Sequence, residues 1–321
     1  MTKSATDVAA AARAAGKKVP EFFIVGHPKS GTTALYEMLR GHPQIYMPDL
    51  KETLFFAREM HPGLKPTDPQ PDTLEEYLAL FAPARADQRA GEASPSYLRS
   101  RLAAQRIAEV QPDARIIAIL REPASFLRSM HLELLKDHVE TEKDLRKAMA
   151  REELRREQKP ILWYSMERVE YAEQLRRYHA AFGREQVLVL VYDDFRADNE
   201  ATVRRVLRFL DVDDTIPVAL SEANQTVLVR SPRMYELQRS LYLGRNPGAR
   251  AAKAAIKAVT SQRLRHDGLR TLRSRVIYGK PPAPDEQLML ELRRRFKGEV
   301  EALSEYLNRD FLSLWGYDRL G

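Results

Sequence analysis

The segment Glu21–Thr33, EFFIVGHPKSGTT, limits what this 321-residue chain can become more than any other stretch. Phe22, Phe23, Ile24 and Val25 form an apolar run of strand length, followed by a Gly/Pro/Ser loop from Gly26 to Gly31. From Thr32 the sequence TTALYEMLRG takes up helical spacing and stops at Gly41. A buried strand that feeds a glycine-bearing loop into a helix N-terminus makes an anion cradle. The free N–H groups of the first turn and the positive end of the helix dipole both face the loop. Lys29 adds a point charge, Ser30 and Gly31 complete the loop, and the Thr32 and Thr33 hydroxyls add donors.

The spacing is not that of a magnesium-dependent nucleotide kinase. Gly26 and Gly31 have the separation found in G-x-x-x-x-G-K-[ST], but Lys29 precedes the second glycine and Thr32 takes the lysine's place. A second unit of the same design starts at Arg115–Leu120 (RIIAIL), followed by Arg121-Glu122-Pro123 and a helix carrying Ser129. Pro123 suits a first helical turn, where its missing N–H costs nothing. A guanidinium at a strand end and a hydroxyl about two turns up the next helix can converge on one phosphate. Gln186–Phe195 (QVLVLVYDDF) is a third apolar strand, ending in Tyr192, with Asp193 and Asp194 expected to cap or anchor a helix over Asn199–Leu210. This alternation predicts an α/β fold: a P-loop-like three-layer arrangement with a central, mainly parallel sheet flanked by helices. We expect one domain over 21–321 after a flexible 1–20, with 230–280 as a basic insertion and candidate lid.

PKSGTT and R-E-P-x-x-x-x-x-S together resemble the 5′-phosphosulfate loop and the 3′-phosphate motif of the sulfotransferases. These enzymes use 3′-phosphoadenosine 5′-phosphosulfate (PAPS) and release 3′-phosphoadenosine 5′-phosphate (PAP). Glu122 replaces the usual Asn or Asp of the second motif. The resemblance spans roughly residues 21–318 and is diffuse between the motifs; it includes a closing helix and a Leu-x-x-Trp ending. It implies that Lys29, Ser30, Gly31, Thr32 and Thr33 hold the phosphosulfate, with Lys29 charging the leaving-group oxygen in place of a metal. It further implies that Arg121 and Ser129 hold the 3′-phosphate and that Tyr192 touches the adenine. The R-K-G triplet that many members place over the 3′-phosphate is missing, so Arg230 and Arg233 are its candidate substitutes.

The segment Lys51-Glu52-Thr53-Leu54-Phe55-Phe56 is similar to the K-E-x-x-F-F of carbohydrate and some bacterial sulfotransferases, whose glutamate is the base. Glu52 is therefore the candidate base, and Lys51 either steers the sulfonate or pairs with Glu52. Gly91–Leu98 (GEASPSYL) lacks the histidine of the phenol-type enzymes and resembles the carbohydrate-type E-K-S-P-x-Y-F. Glu92 is the reserve base, with His131 a more distant one. Ser94 and Tyr97 are candidates to line the acceptor side. His131 and His138 lie seven apart on one helix, too few ligands to argue for a metal. The implied reaction moves a sulfuryl group to a hydroxyl of a sugar, glycolipid or natural product.

Composition narrows the alternatives. With no cysteine, disulfides, thiol catalysis and Cys-based zinc sites are excluded. No apolar run approaches a bilayer span and residues 1–20 lack a secretory apolar stretch, so the expectation is a cytoplasmic protein. Charge is uneven: residues 230–280 carry a net +11 in a chain of +7, which leaves −4 elsewhere. That window reads as a solvated helical face, as help for the nucleotide phosphates and an acidic acceptor, or as contact with an anionic membrane surface. Nucleic acid is disfavoured, because no aromatic-interleaved basic motif accompanies the charge. Two other functions stay open at this level: a P-loop-type nucleotide kinase, and a non-catalytic nucleotide- or polyanion-binding protein.

Overall fold

The computed structural model describes residues 4–61, 70–137, 139–154, 162–219, 228–229, 278–279 and 282–320. Arg230 and Arg233, most of the basic window, and His138 lie outside the described residues. The chain divides into two compact units, the first comprising residues 1–126, 155–224 and 287–321, the second 127–154 and 225–286.

The first unit is built on five parallel strands in the order β2-β3-β1-β4-β5. They are β1 (Phe22–Gly26), β2 (Ile45–Tyr46), β3 (Arg89–Ala93), β4 (Arg115–Leu120) and β5 (Val187–Val191). All five residues of β1 are buried, as expected of a central parallel strand covered on both faces. Its neighbours are set by register: Phe22 lies opposite Gly91 on β3 and Arg115 on β4. Gly91 is needed there, since a Cβ would sit 2.0 Å from the Phe22 ring. The pairing of β1 with β4 slips between Ile24 and Gly26, where the chain leaves the sheet for the loop. β3 and β4 flank β1 on opposite sides, and the usual ligand position in such sheets lies beyond the C-terminal end of the strand between them.

Helices cover both faces. On one face α2 (Thr32–Arg40) and α9 (Asn199–Phe209) bring Leu35, Met38, Leu39, Val203, Val206 and Leu207 against Ile24, Ile117, Ile119, Leu188 and Leu190. The other face meets α7 (Tyr171–Phe182), which packs in turn on α4 (Ala103–Val110). The α/β class and its parallel sheet are as the sequence predicted. Residues 5–14, expected to be flexible, instead form α1 (Ala5–Ala14), with Ser4 and Asp7 as a reciprocal cap. Arg13 ties this helix to α4, donating to the Val110 carbonyl at 2.6 Å and to Gln111 Oε1 at 2.9 Å. Its alanines matter here: Ala9 and Ala12 are buried, and small side chains let the helix approach closely. The short α3 (Leu74–Ala79) has the same kind of cap, from Thr73 and Glu76.

Near the C-terminal ends of the strands, α5 (Pro123–Lys136) follows β4 and α8 (Tyr192–Ala197) follows β5. The strand predicted to run to the aspartates therefore ends at Val191, and Tyr192 opens a helix. Asp198, not Asp193 or Asp194, caps α9, accepting from the Ala201 N–H at 2.8 Å. The chain closes with α10 (Glu286–Leu307) and α11 (Phe311–Trp315).

The second unit holds α5 from Leu127 onward and α6 (Leu145–Leu154). It also holds an antiparallel pair, β6 (Leu228–Val229) with β7 (Tyr278–Gly279). Ser129 and His131 are buried within it, and a His131 ring nitrogen lies 3.1 Å from the Lys143 carbonyl. No described helix is long and apolar enough to cross a membrane.

Candidate active site

The loop between β1 and α2 has the geometry the sequence asks for. Lys29 and Gly31 both take positive φ, 62° and 89°. Only glycine takes the second of these without strain. A Cβ at Gly31 would also press on the Phe195 ring at 3.0 Å. Gly31 is the N-cap of α2 and no side chain caps that helix, so its first N–H groups stay available to an anion. Ser30 and Thr32 are buried, while Lys29 and Thr33 are half-buried. His27 fixes the near end of the loop. Its Nε2 lies 2.8 Å from the Arg168 carbonyl, and its ring meets Phe126 and Tyr171 edge-on at 4.3 and 5.2 Å. Complete burial, reinforced by the Arg168 and Arg99 charges, lowers its pKa to about 3 against the pull of two carbonyls. The imidazole is therefore neutral and donates to Arg168.

Arg121 leaves the end of β4 and turns toward this loop. Its Nη1 donates to the Lys29 carbonyl at 2.7 Å, and its guanidinium stands 4.5 Å over the Tyr192 ring. Arg121, the cradle and Tyr192 are thus one assembly. The next residue explains the departure from the family motif. Glu122 caps α5, its oxygens accepting from the Ala124 and Ser125 N–H groups at 2.9 and 2.7 Å, and from the Tyr317 hydroxyl at 2.6 Å. Asn or Asp would cap from the same place; the longer glutamate also reaches the C-terminal tyrosine. The tail holds the adjoining strand end as well. Trp315 Nε1 donates to Asp193 at 3.1 Å and Arg309 to Asp194 at 2.8 Å. Those aspartates anchor the closing segment. Ser129 belongs to the second unit.

The Lys51-Glu52 segment comes to the other side of the cradle. Lys51 Nζ donates to Thr33 Oγ1 at 3.0 Å and to Glu52 Oε1 at 2.8 Å. This brings the Glu52 carboxylate within two hydrogen-bond lengths of the first turn of α2. Glu52 keeps half of its side chain exposed. His61, absent from the candidates read from the sequence, belongs to the same neighbourhood. Burial and Arg99 lower its pKa, and Glu52 and Glu59 act in the opposite sense. Its Nε2 has no hydrogen-bond partner among the described residues. The signal was slight, a lone histidine nine residues past the candidate base.

Glu92, Ser94 and Tyr97 occupy the interior, with 1%, 1% and 0% of their surface exposed. Glu92 accepts from Ser94 at 2.6 Å, Thr53 at 2.7 Å and Tyr77 at 2.5 Å. Among the described residues no cation pairs with it. Burial raises its pKa against these four-sided hydroxyl contacts, which include Tyr97. Neither it nor its two companions faces an acceptor. Among the described residues there is also no group of three or more potential metal ligands.

Comparison with known proteins gives a consistent picture. The sulfotransferase domain family matches residues 19–230. Carbohydrate sulfotransferase 15 of Mus musculus is 26% identical over 272 residues, covering 67% of this chain and 46% of its own length. Heparan sulfate glucosamine 3-O-sulfotransferase 3A1 of Mus musculus is 34% identical over 110 residues, 34% of this chain and 25% of the relative. The chain thus spans less than half the length of these curated relatives. Among solved structures, a sulfotransferase from Alicyclobacillus acidocaldarius is 29% identical with a TM-score of 0.67, covering 93% of this chain and 99% of that one. An anion loop with its lysine before the second glycine, Arg121 laid against it, and a family match over two-thirds of the sequence agree: this chain belongs to the sulfotransferase family.

Proposed function

We propose that this chain moves a sulfuryl group from PAPS to an aliphatic or sugar hydroxyl, with Glu52 as the base. The observation that carries this reading is Lys51, hydrogen-bonded at once to Thr33 of the cradle helix and to the Glu52 carboxylate. A base serves only if it lies within about 3 Å of the acceptor hydroxyl in the reacting complex. Lys51 holds Glu52 on the rim where such a hydroxyl would meet a group seated in the cradle.

The residues present fit a nucleotide bearing two anionic groups. An uncapped helix start and a glycine whose positive φ and closeness to the Phe195 ring strain any side chain suit the 5′ end. A guanidinium backed by Tyr192 suits the 3′-phosphate and its purine. Bound there, PAPS supplies the sulfuryl group and leaves as PAP. Lys29, with Ser30, Gly31, Thr32 and Thr33, offers positive charge and donors to the phosphosulfate. Arg121 and Ser129 are assigned to the 3′-phosphate, with Arg230 and Arg233 as further candidates. Glu52 takes the acceptor proton, and Lys51 orients its carboxylate through the hydrogen bond between them. The likeness to carbohydrate sulfotransferases over part of the chain supports a sugar-linked hydroxyl as acceptor, with a lipid-linked one as the alternative.

Calorimetric titration with PAP, with 5′-AMP and with Mg·ATP tests the donor class. Tight binding of PAP alone is the expected result, followed by PAPS-dependent sulfation of desulfated glycosaminoglycan or glycolipid acceptors. Preference for Mg·ATP would overturn the reading. PAP binding without turnover on any acceptor, and without slow PAPS hydrolysis, would leave a nucleotide-binding protein in its place.

A further inference from the structure

We propose that Glu92 is a positioning residue for the base: it locks the strained turn that presents Glu52 to the cradle. The proposal rests on the reading of Glu52 as the base. Glu52 and Leu54 both lie in the left-handed region, at φ 59° and 55°. For residues with a Cβ each such conformation costs about 1–2 kcal/mol, so something outside the turn has to hold it. Thr53, the residue between them, is completely buried and donates its hydroxyl proton to Glu92 Oε1 at 2.7 Å.

The remaining contacts converge on the same carboxylate. The Leu54 N–H donates to Ser94 Oγ at 3.3 Å, and Ser94 donates onward to Glu92 at 2.6 Å. The Phe56 N–H donates to the Tyr97 hydroxyl at 3.3 Å, and Tyr97 lies 3.0 Å from Thr53 Oγ1. Thr53 has one proton and it goes to Glu92, so Tyr97 is the donor in that pair. The Glu52 N–H meets the Ala93 carbonyl, next to Glu92 in sequence, at 3.1 Å. Tyr77 closes the second carboxylate oxygen at 2.5 Å. Every hydroxyl proton in the cluster thus runs toward Glu92, an arrangement only an acceptor at its centre can terminate. A protonated Glu92, or a glutamine, would turn one oxygen into a donor. On Oε1 that donor would reverse the Thr53 or Ser94 arm against the Leu54 or Phe56 N–H; on Oε2 it would reverse the Tyr77 arm and leave Oε1 accepting from Thr53 and Ser94. A buried carboxylate with no paired cation is costly, and what its bonds hold in place is the turn of residues 52–56.

Hydrogen exchange and a double-mutant cycle test this. Deuterium uptake over residues 52–56 is measured in wild type and Glu92→Leu, which removes both acceptor oxygens, with PAP affinity by calorimetry and PAP release from PAPS as the rate. The expected result is faster exchange in 52–56, PAP affinity within twofold of wild type, and a rate loss of about tenfold to 10²-fold, the scale of a base displaced by about 1 Å. The Glu52→Gln/Glu92→Leu double variant should then be no slower than Glu52→Gln alone. Unchanged exchange, or rate losses that multiply, would overturn the positioning role. A Glu52→Gln protein at full rate would instead overturn the base reading, and the proposal with it. If Glu92→Leu fails to fold, Thr53→Val removes one arm at constant volume and carries the same cycle with the same expected outcomes.

Discussion

Acidification should destabilise this protein through one imidazole. His27 is fully buried, and its pKa falls from an ordinary 6.5 to about 3. Between those values the unfolded chain holds a proton that the folded chain refuses, so stability rises with pH across that window and is lost as pH falls through 6.5. From pH 7.5 to pH 5 the loss is about 2 kcal/mol, using 1.36 kcal/mol per unit below the unfolded value. For a unit of this size that corresponds to roughly 4–8 °C in melting temperature. Other groups titrate over the same range, so the measurement is a comparison with His27→Gln. Glutamine places an uncharged N–H donor the same number of bonds from Cα, within reach of the Arg168 carbonyl. Melting temperatures of both proteins at pH 7.5, 6.5, 5.5 and 5 should diverge progressively, the wild type falling further. Parallel curves would refute the reasoning, since they would mean that His27 titrates alike in both states or opens without the fold. The cradle begins at this residue, so PAP affinity should weaken over the same range in the wild type and less in the variant.

Four further outcomes are expected. Lys29→Ala should abolish PAP release from PAPS at an unchanged melting temperature; retained turnover would remove its assigned role. Arg121→Ala should weaken PAP by about 1.5–3 kcal/mol, the worth of charged hydrogen bonds, and weaken 5′-AMP much less, which paired titrations will separate. Gly31→Ala should lose about 1–2 kcal/mol of stability from its positive φ and more of its PAP affinity, because the added methyl meets the Phe195 ring. Glu122→Ala removes the cap of α5 and leaves the Tyr317 hydroxyl unpaired. It should cost about 1–3 kcal/mol in urea unfolding, with Glu122→Asp recovering the part that is capping alone.

The sequence resolved those features that are encoded locally. An apolar run beside a glycine loop is a strand and a cradle wherever it is folded, because backbone stereochemistry and a helix start depend on neighbours a few residues away. Phe22–Val25, Gly31 and the helix from Thr32 were legible for that reason, as was the strand over Arg115–Leu120. Their alternation required a parallel sheet with covered faces. The alanine-rich start misled for a related reason: without a strong apolar stripe, the helix docks through partners remote in sequence, Arg13 on Val110 and Gln111 and Thr6 on Glu109.

Carboxylates were the hardest to read, since their roles depend on which oxygens and protons lie within 3 Å in space. Glu52 and Glu92 looked like two candidates for one task. The fold leaves the first half exposed beside Lys51 and closes the second in a ring of hydroxyls drawn from positions 53, 77, 94 and 97. Asp193 and Asp194 sat where a helix cap would be expected, yet partners more than a hundred residues away, Trp315 and Arg309, take them instead. The chain alone determined a sulfotransferase-like cradle and its sheet, because those follow from local pattern. Which acid stays half exposed beside Lys51 and which is held in the core was decided by tertiary packing, because a carboxylate's surroundings are set by its solvent and its donors and not by its place in the sequence.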